Sequence, residues 1–143
     1  MSFQFHISRV EVWSGDIPDR AGAAAAVLEV LSRAGADLKF LFTRPHPTRP
    51  EASVMILAPI IGPEQTQAAR SVGLEPAPEI PMLCVEGDNI PGIGSQVMGW
   101  LAVAGVNLRG LSISAVGDRF VAYLAFDSPQ SATRALQVLA SMA

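Results

Sequence analysis

The chain opens on alternation. Phe3, Phe5 and Ile7 stand between polar neighbours, the period-two signature of a strand with one buried face. From Val10 the apolar positions change parity to Val10, Val12 and Trp13, which predicts a bulge or a handover between two sheets. Ser14 to Arg20, with Gly15, Asp16, Pro18 and Asp19, reads as a turn. The period then becomes helical: Ala23, Val27, Val30, Leu31 and Ala34 share one stripe, and Gly35 supplies a C-terminal stop. Leu38, Phe40 and Phe42 alternate as a strand. A proline-rich basic loop, Thr43 to Pro50, leads to an apolar strand over Ser53 to Ala58. Pro63 suits the start of a second helix ending near Gly73, and Leu74 to Pro81 reads as an irregular edge strand plus linker.

The same order then recurs. Ile80 to Glu86 is a predicted strand, and Gly87 to Gly94 a turn. Ile93, Val97, Trp100, Leu101 and Ala104 form a helical stripe. Val106 and Leu108 begin a strand whose apolar phase shifts after Gly110 to Leu111, Ile113 and Ala115, the mark of a bulge. Gly117-Asp118 predicts a tight hairpin before the apolar strand Phe120 to Phe126. Ser128-Pro129 opens a last helix with Ala132, Ala135, Leu136 and Leu139 on its core side. Gly22 and Gly92, Gly35 and Gly105, and Leu38 and Leu108 are each 70 positions apart, so the chain carries an internal duplication.

Each half therefore reads strand–helix–strand–strand–helix, and a fourth strand is expected to complete an α+β, ferredoxin-like βαββαβ sheet with helices on one face. The two modules are expected over 1–77 and 78–143. The second lacks a strand after its helix, and residues 2–8 are expected to complete its sheet.

Composition narrows the function. The 143 residues are 50% hydrophobic and 16% charged, which supplies a core for two small modules and favours self-association. A net charge of −3 argues against nucleic-acid binding, which needs a basic stripe. Cys84 is the single cysteine, so no internal disulfide forms and a reducing compartment fits. The first residues show no basic n-region or long apolar run, and the most apolar helix is too short to span a membrane and carries Glu29. A cytoplasmic protein is expected.

The duplicated turn is the candidate site. Asn89-Ile90-Pro91-Gly92-Ile93-Gly94 leads into a helix that ends Ala104-Gly105-Val106-Asn107-Leu108; the earlier copy has Asp19-Arg20-Ala21-Gly22 and Ala34-Gly35-Ala36-Asp37-Leu38. The first backbone N–H groups of a helix have no internal partners and sit at the positive end of its dipole. A glycine approach lets a ligand carboxylate reach them. Asp19 or Asn89 could accept from a ligand amino group, and Asp37 or Asn107 could do the same from a neighbouring module. The alternative is structural, with Asp19 and Asn89 as plain N-caps and the glycines as turn formers.

A strand, then D-x-P-G or D-N-x-P-G, then an apolar helix ending A-G-x-N-L resembles the ACT domain, a small regulatory module that binds amino acids. The resemblance covers nearly the whole chain as a tandem pair. Ala21 in place of the proline and Asp37 in place of the asparagine set the first copy apart. The resemblance implies an ACT-type fold and an amino-acid ligand at module interfaces, held by Asp19, Arg20, Ala21, Gly22, Asp37, Leu38, Asn89, Ile90, Pro91, Gly92, Ile93, Gly94, Asn107 and Leu108. It further implies a non-catalytic, allosteric role without cofactor, exercised on a regulated enzyme or regulator, and a homodimer is expected. Of the two turns, the second is favoured if one alone is occupied. A ligand-free assembly module is one alternative. An acylphosphatase-like enzyme, with Arg109 and Asn107 imitating its arginine and asparagine, is another.

The remaining chemistry is sparse. His6 and His46 have no carboxylate or cysteine at ligand spacing, so no metal site is expected, and His6 reads as a strand-surface residue. Cys84 in its apolar strand reads as core rather than as a nucleophile. Thr43 to Pro50 reads as a stiff solvated loop, Val30 and Trp100 as core stripe residues, and Ser95 as a first-turn helix residue without a general base.

Overall fold

A computed structural model describes residues 4–142. The chain divides into two compact units, with breaks after Val10 and after Pro78. The strand β1 (Phe5–Val10) belongs to the unit that resumes at Glu79, while β2 (Trp13–Pro18) begins the other. The parity flip at Val10 is thus a handover between sheets, because β1 and β2 bury their side chains against different cores. Of the expected first strand, Ser2 and Phe3 lie outside the described residues.

The unit from Glu11 to Pro78 runs β2, α1 (Ala23–Arg33), β3 (Phe40–Pro45), β4 (Ala52–Ala58), α2 (Gly62–Ser71) and β5 (Glu75–Pro76). Its antiparallel sheet has the order β3-β4-β2-β5. Trp13, Ile17, Met55 and Leu57 point from the sheet to the face covered by Ala23, Val27 and Leu31 of α1 and Ala69 of α2. Val30, expected on the core stripe, is half-buried.

The other unit runs β6 (Met82–Asp88), α3 (Ile93–Val103), β7 (Leu108–Val116), β8 (Arg119–Phe126) and α4 (Pro129–Met142), with sheet order β1-β6-β8-β7. Here β1 pairs antiparallel with β6, from Phe5 opposite Gly87 to Val10 opposite Met82. It holds the sheet position that β5 holds beside β2. Both helices cover one face: Leu83, Val85, Ala122, Leu124 and Phe126 meet Ile93, Val97 and Leu101 of α3 and Ala132, Ala135 and Leu139 of α4. Trp100 is half-buried against this core and stacks obliquely on Phe5 at 5.9 Å. Both units are therefore ferredoxin-like α+β modules.

The repeat extends to burial. Residues 21–35 and 91–105 share the same sequence of exposed, half-buried and buried positions, since α1 and α3 present the same stripe to equivalent sheets. Each helix ends in a Schellman motif. Gly35 (φ 83°) and Gly105 (φ 73°) take the left-handed conformation, and the next amides, of Ala36 and Val106, donate to Leu31 at 3.0 Å and Leu101 at 2.9 Å. Leu31 and Leu101 are each 1% exposed, and burying either stabilises the fold by roughly 1.5–3 kcal/mol.

Several local expectations need correction. Ser14–Pro18 and Gly87–Asp88 are strand, not turn. Their glycines admit close approach rather than reversal: a Cβ on Gly15 would stand 2.4 Å from the Gly73 carbonyl oxygen, and one on Gly87 would stand 2.8 Å from that of Gln4. Thr43–Pro45 belongs to β3, so the basic loop shrinks to His46 through Glu51. The register shift between Leu108 and Gly110 supplies the expected bulge, with Arg109 as the extra residue. Gly117 (φ 61°) and Asp118 close the β7–β8 hairpin.

Candidate functional site

Both candidate turns are built alike. Gly22 and Gly92 are the N-caps of α1 and α3, each in the left-handed region at φ 86°, and neither helix has a side-chain cap. One turn earlier, the Arg20 and Ile90 carbonyls accept the amides of Ala23 (3.3 Å) and Ile93 (3.0 Å). The first intrahelical bonds are Ala26 N–H to Gly22 and Gln96 N–H to Gly92, both 3.0 Å. The amides between them, of Ala24 and Ala25 and of Gly94 and Ser95, have no intrahelical acceptor by helix geometry. Each turn is pinned to the hairpin of its own unit: Asp19 N–H donates to Glu51 (2.8 Å) and Asn89 N–H to Asp118 (2.7 Å).

The plain N-cap reading of Asp19 and Asn89 is thereby corrected. Both residues precede the N-cap glycine by three positions and serve through their backbone amides. The other two helices differ. In α2 the Gln65 Oε1 accepts the Ile61 amide (2.9 Å) and Glu64 lies in the first turn; in α4 the Ser128 Oγ accepts the Ser131 amide (3.1 Å). Neither α1 nor α3 has an acidic residue in its first turn. Their positive dipole ends are therefore balanced by no side chain of their own first turns.

Within one unit the structure does not bring all the predicted residues together. Asp19, Arg20, Ala21 and Gly22 cluster before α1, and Asn89, Ile90, Pro91, Gly92, Ile93 and Gly94 before and in the first turn of α3. Ile93 is buried in the core, and Ile90 and Gly94 are half-buried. Asp37 with Leu38, and Asn107 with Leu108, lie beyond the other end of each 11-residue helix, roughly 16 Å away. The Asp37 carboxylate pairs with Lys39 Nζ at 2.7 Å.

Three features of the site surroundings escaped the sequence pattern. Ile113 of β7 lies over Gly94, where an added Cβ would stand 3.1 Å from its Cδ1. Arg119 Nη1 donates to Asp88 Oδ1 at 3.0 Å across β6 and β8, beside the second turn. Asp16, at the foot of the first turn, pairs with Arg49 and has His46 Nε2 3.8 Å away, so His46 does meet a carboxylate. The His46 Nδ1 accepts the amides of Thr48 and Arg49, both at 3.1 Å, which orients the ring toward Asp16. The hairpin turn at Gly117-Asp118 was visible in the sequence; its place beside Asn89 was not, because strand order decides it.

The other chemical candidates change role. Arg109 donates to the Glu79 carbonyl at 3.1 Å, so its guanidinium serves the bulge and linker. Cys84 is half-buried, not core: it lies on the sheet face turned away from the helices, opposite Tyr123. Burial pushes its thiol above the ordinary value, partly offset by a hydrogen bond from Tyr123. The Tyr123 phenol is pushed up to about 12 by burial and by Cys84. A thiol held protonated is a poor nucleophile. His6 is exposed on β1, and the described residues contain no group of three or more metal-ligating side chains. No helix among them is long and apolar enough to cross a membrane.

The sequence matches no family model and no curated protein. The structure is similar to solved ones over nearly its whole length. One is a protein from Bacteroides thetaiotaomicron, with TM-score 0.72 and 15% identity, covering 92% of this chain and 88% of that one. Another is the regulatory subunit of aspartate kinase from Thermus thermophilus in its ligand-free form, with TM-score 0.65 and 16% identity, covering 99% of each. A third is E. coli aspartokinase III in complex with lysine and aspartate, with TM-score 0.54 and 12% identity; 98% of this chain matches 33% of that one. At these identities the likeness is one of fold, and the fold is a tandem pair of ferredoxin-like modules.

Proposed function

We propose that this chain is a non-catalytic regulatory protein that binds an amino acid at the N-termini of α1 and α3. The observation that carries the reading is the contrast among the four helices: α2 and α4 receive side-chain partners at their first turns, whereas α1 and α3 begin at left-handed glycines without cap or acid. Such an end suits a carboxylate. Asp19 or Asn89 would take the ligand's amino group, and Asp37, Leu38, Asn107 and Leu108 would contribute from a module of a second copy. The neighbours named as a regulatory subunit of aspartate kinase and as an aspartokinase with lysine and aspartate support a regulatory role and an amino-acid ligand. A homodimer in the cytoplasm, acting on a partner enzyme or regulator, completes the proposal. Ligand would act by binding one arrangement of modules more tightly than another.

The second turn is the stronger candidate. It keeps Pro91 and Gly94, and its neighbouring hairpin has two residues, whereas the first turn faces the six-residue loop from His46 to Glu51. Tethering of Arg109 to Glu79 weighs against an acylphosphatase-like reaction. Thermal unfolding with each standard amino acid tests the proposal. A ligand at 100 times its dissociation constant adds about 2.7 kcal/mol of stability. A shift for one or a few amino acids is expected, and no shift for any would favour a ligand-free assembly module.

A further inference from the structure

We infer that the β3–β4 loop is a proton-sensitive clasp on the turn before α1, closed while His46 is neutral and released when its ring takes a proton. The clasp stands on the loop's own geometry, and only its effect on a ligand rests on the proposed amino-acid site. The loop runs from His46 to Glu51, between Pro45 and Ala52. Pro47 and Pro50 bring no amide hydrogen, so few backbone donors remain to tie it. The amides of Thr48 and Arg49 both donate to one atom, the His46 Nδ1, each at 3.1 Å, and the Thr48 hydroxyl lies 3.3 Å from it. A side chain that collects amides a few positions ahead is ordinarily an aspartate, asparagine, serine or threonine. Here the acceptor is a ring nitrogen, which a proton can occupy near neutral pH.

The groups around the ring do not compensate for that proton. Backbone amides only donate, so Nδ1 must accept and the neutral ring carries its hydrogen on Nε2. On the β2 side, Asp16 Oδ2 lies 3.8 Å from Nε2, beyond hydrogen-bond reach, and its carboxylate already pairs with Arg49. From β3, Arg44 stands on the same sheet face as Asp16, since both lie opposite Val54. The loop itself adds Glu51, and β4 has no charged residue. A hydrogen on Nδ1 would meet two amide hydrogens head-on. The Thr48 hydroxyl can rotate away; the amides cannot.

The same loop holds the first turn. His46 N–H donates to the Ala52 carbonyl (3.0 Å), Ala52 N–H to that of Arg49 (3.2 Å), and the Glu51 carbonyl accepts the Asp19 amide (2.8 Å). Loss of the Nδ1 contacts frees Arg49 and the segment that carries Glu51, so Asp19 loses its anchor. The closed loop is therefore favoured above the range in which histidine titrates and lost as pH falls through it. The second turn has no counterpart, because Asn89 is held by Asp118 in a two-residue hairpin without histidine. Mild acid should weaken ligand binding before α1 and spare binding before α3.

Nitrogen-15 NMR of the full chain tests the clasp, with exposed His6, the one other histidine, as reference. At about pH 8 the His46 ring should carry hydrogen on Nε2 alone, and the amide resonances of Thr48, Arg49 and Asp19 should move with the ring as pH falls to about 5. His46→Asn supplies an acceptor that takes no proton, so its loop amides should keep the closed positions throughout. His46→Phe supplies none and should show the released positions at both ends. A His46 ring with hydrogen on Nδ1 at about pH 8 overturns the inference. So do Thr48, Arg49 or Asp19 amides that ignore the His46 titration, and so does a His46→Asn loop that is open or still titrates. Amino-acid thermal shifts at about pH 8 are scored separately. No shift for any amino acid sinks the ligand reading, and the clasp is still decided by the resonances.

Discussion

An acid placed in the first turn of α3 should stabilise the free protein and abolish ligand binding at that helix end. Ser95 is exposed and is the third residue of that helix, where its amide has no intrahelical acceptor. With no acid in this turn, Ser95→Asp adds a carboxylate near about half a positive charge, worth 0.3–1 kcal/mol at a solvated site. For a module of this size, that raises the melting temperature by roughly 2–6 °C. The same carboxylate occupies the field that a ligand's carboxylate needs. A site filled at 100 times its dissociation constant adds about 2.7 kcal/mol to the unmodified protein, and the variant gains its small increment without ligand and nothing further from the α3 site. Calorimetric titration with the amino acid selected by the thermal screen, together with unfolding of both proteins, separates the two effects. A variant that binds as the parent does refutes the assignment of ligand to this helix end. A variant less stable than the parent refutes the electrostatic argument beneath it.

Two glycines should respond differently to alanine. Gly92→Ala meets no neighbour but must hold φ 86°, a cost of about 1–2 kcal/mol, whereas Gly15→Ala drives a Cβ to 2.4 Å from the Gly73 carbonyl oxygen and should cost more than 3 kcal/mol. Urea unfolding ranks them, and a Gly15→Ala as mild as Gly92→Ala would show that β2 can move away from Gly73. Tyr123 is the single tyrosine, so the ultraviolet absorbance of its phenolate follows one group: its midpoint should lie near 12, against the ordinary 10.0. The unfolded chain loses that proton first, so native protein binds more protons between these values. The stabilising contribution is complete below pH 10 and is lost as pH rises through about 12. Cys84, also unique, should react with a thiol reagent more slowly than a free cysteine at mildly alkaline pH, and denaturant should remove the difference.

Much of this architecture is local and was therefore legible. Periodicity places α1 and α3 because a helix on a sheet needs a stripe, and Gly35 and Gly105 end them because their left-handed turn favours glycine. The duplication at 70 positions, the bulge at Arg109 and the hairpin at Gly117-Asp118 also follow from short-range pattern. Errors arose where a residue answers to a distant neighbour. Gly15 and Gly87 look like turn glycines, yet they lie in strands that Gly73 and Gln4 approach closely. Cys84 sits in an apolar run, but the alternation of β6 turns it from the core and toward Tyr123.

The candidate site divides in the same way. Sequence alone marked the two turns, since a repeated glycine turn before an apolar helix is a local arrangement. Only tertiary structure decided what surrounds them: Glu51 and Asp118 pinning the turns, Ile113 over Gly94, and Asn107 at the far end of α3 from Asn89. Strand order sets those neighbours, and strand order is chosen by burial of whole faces rather than by any short run of residues.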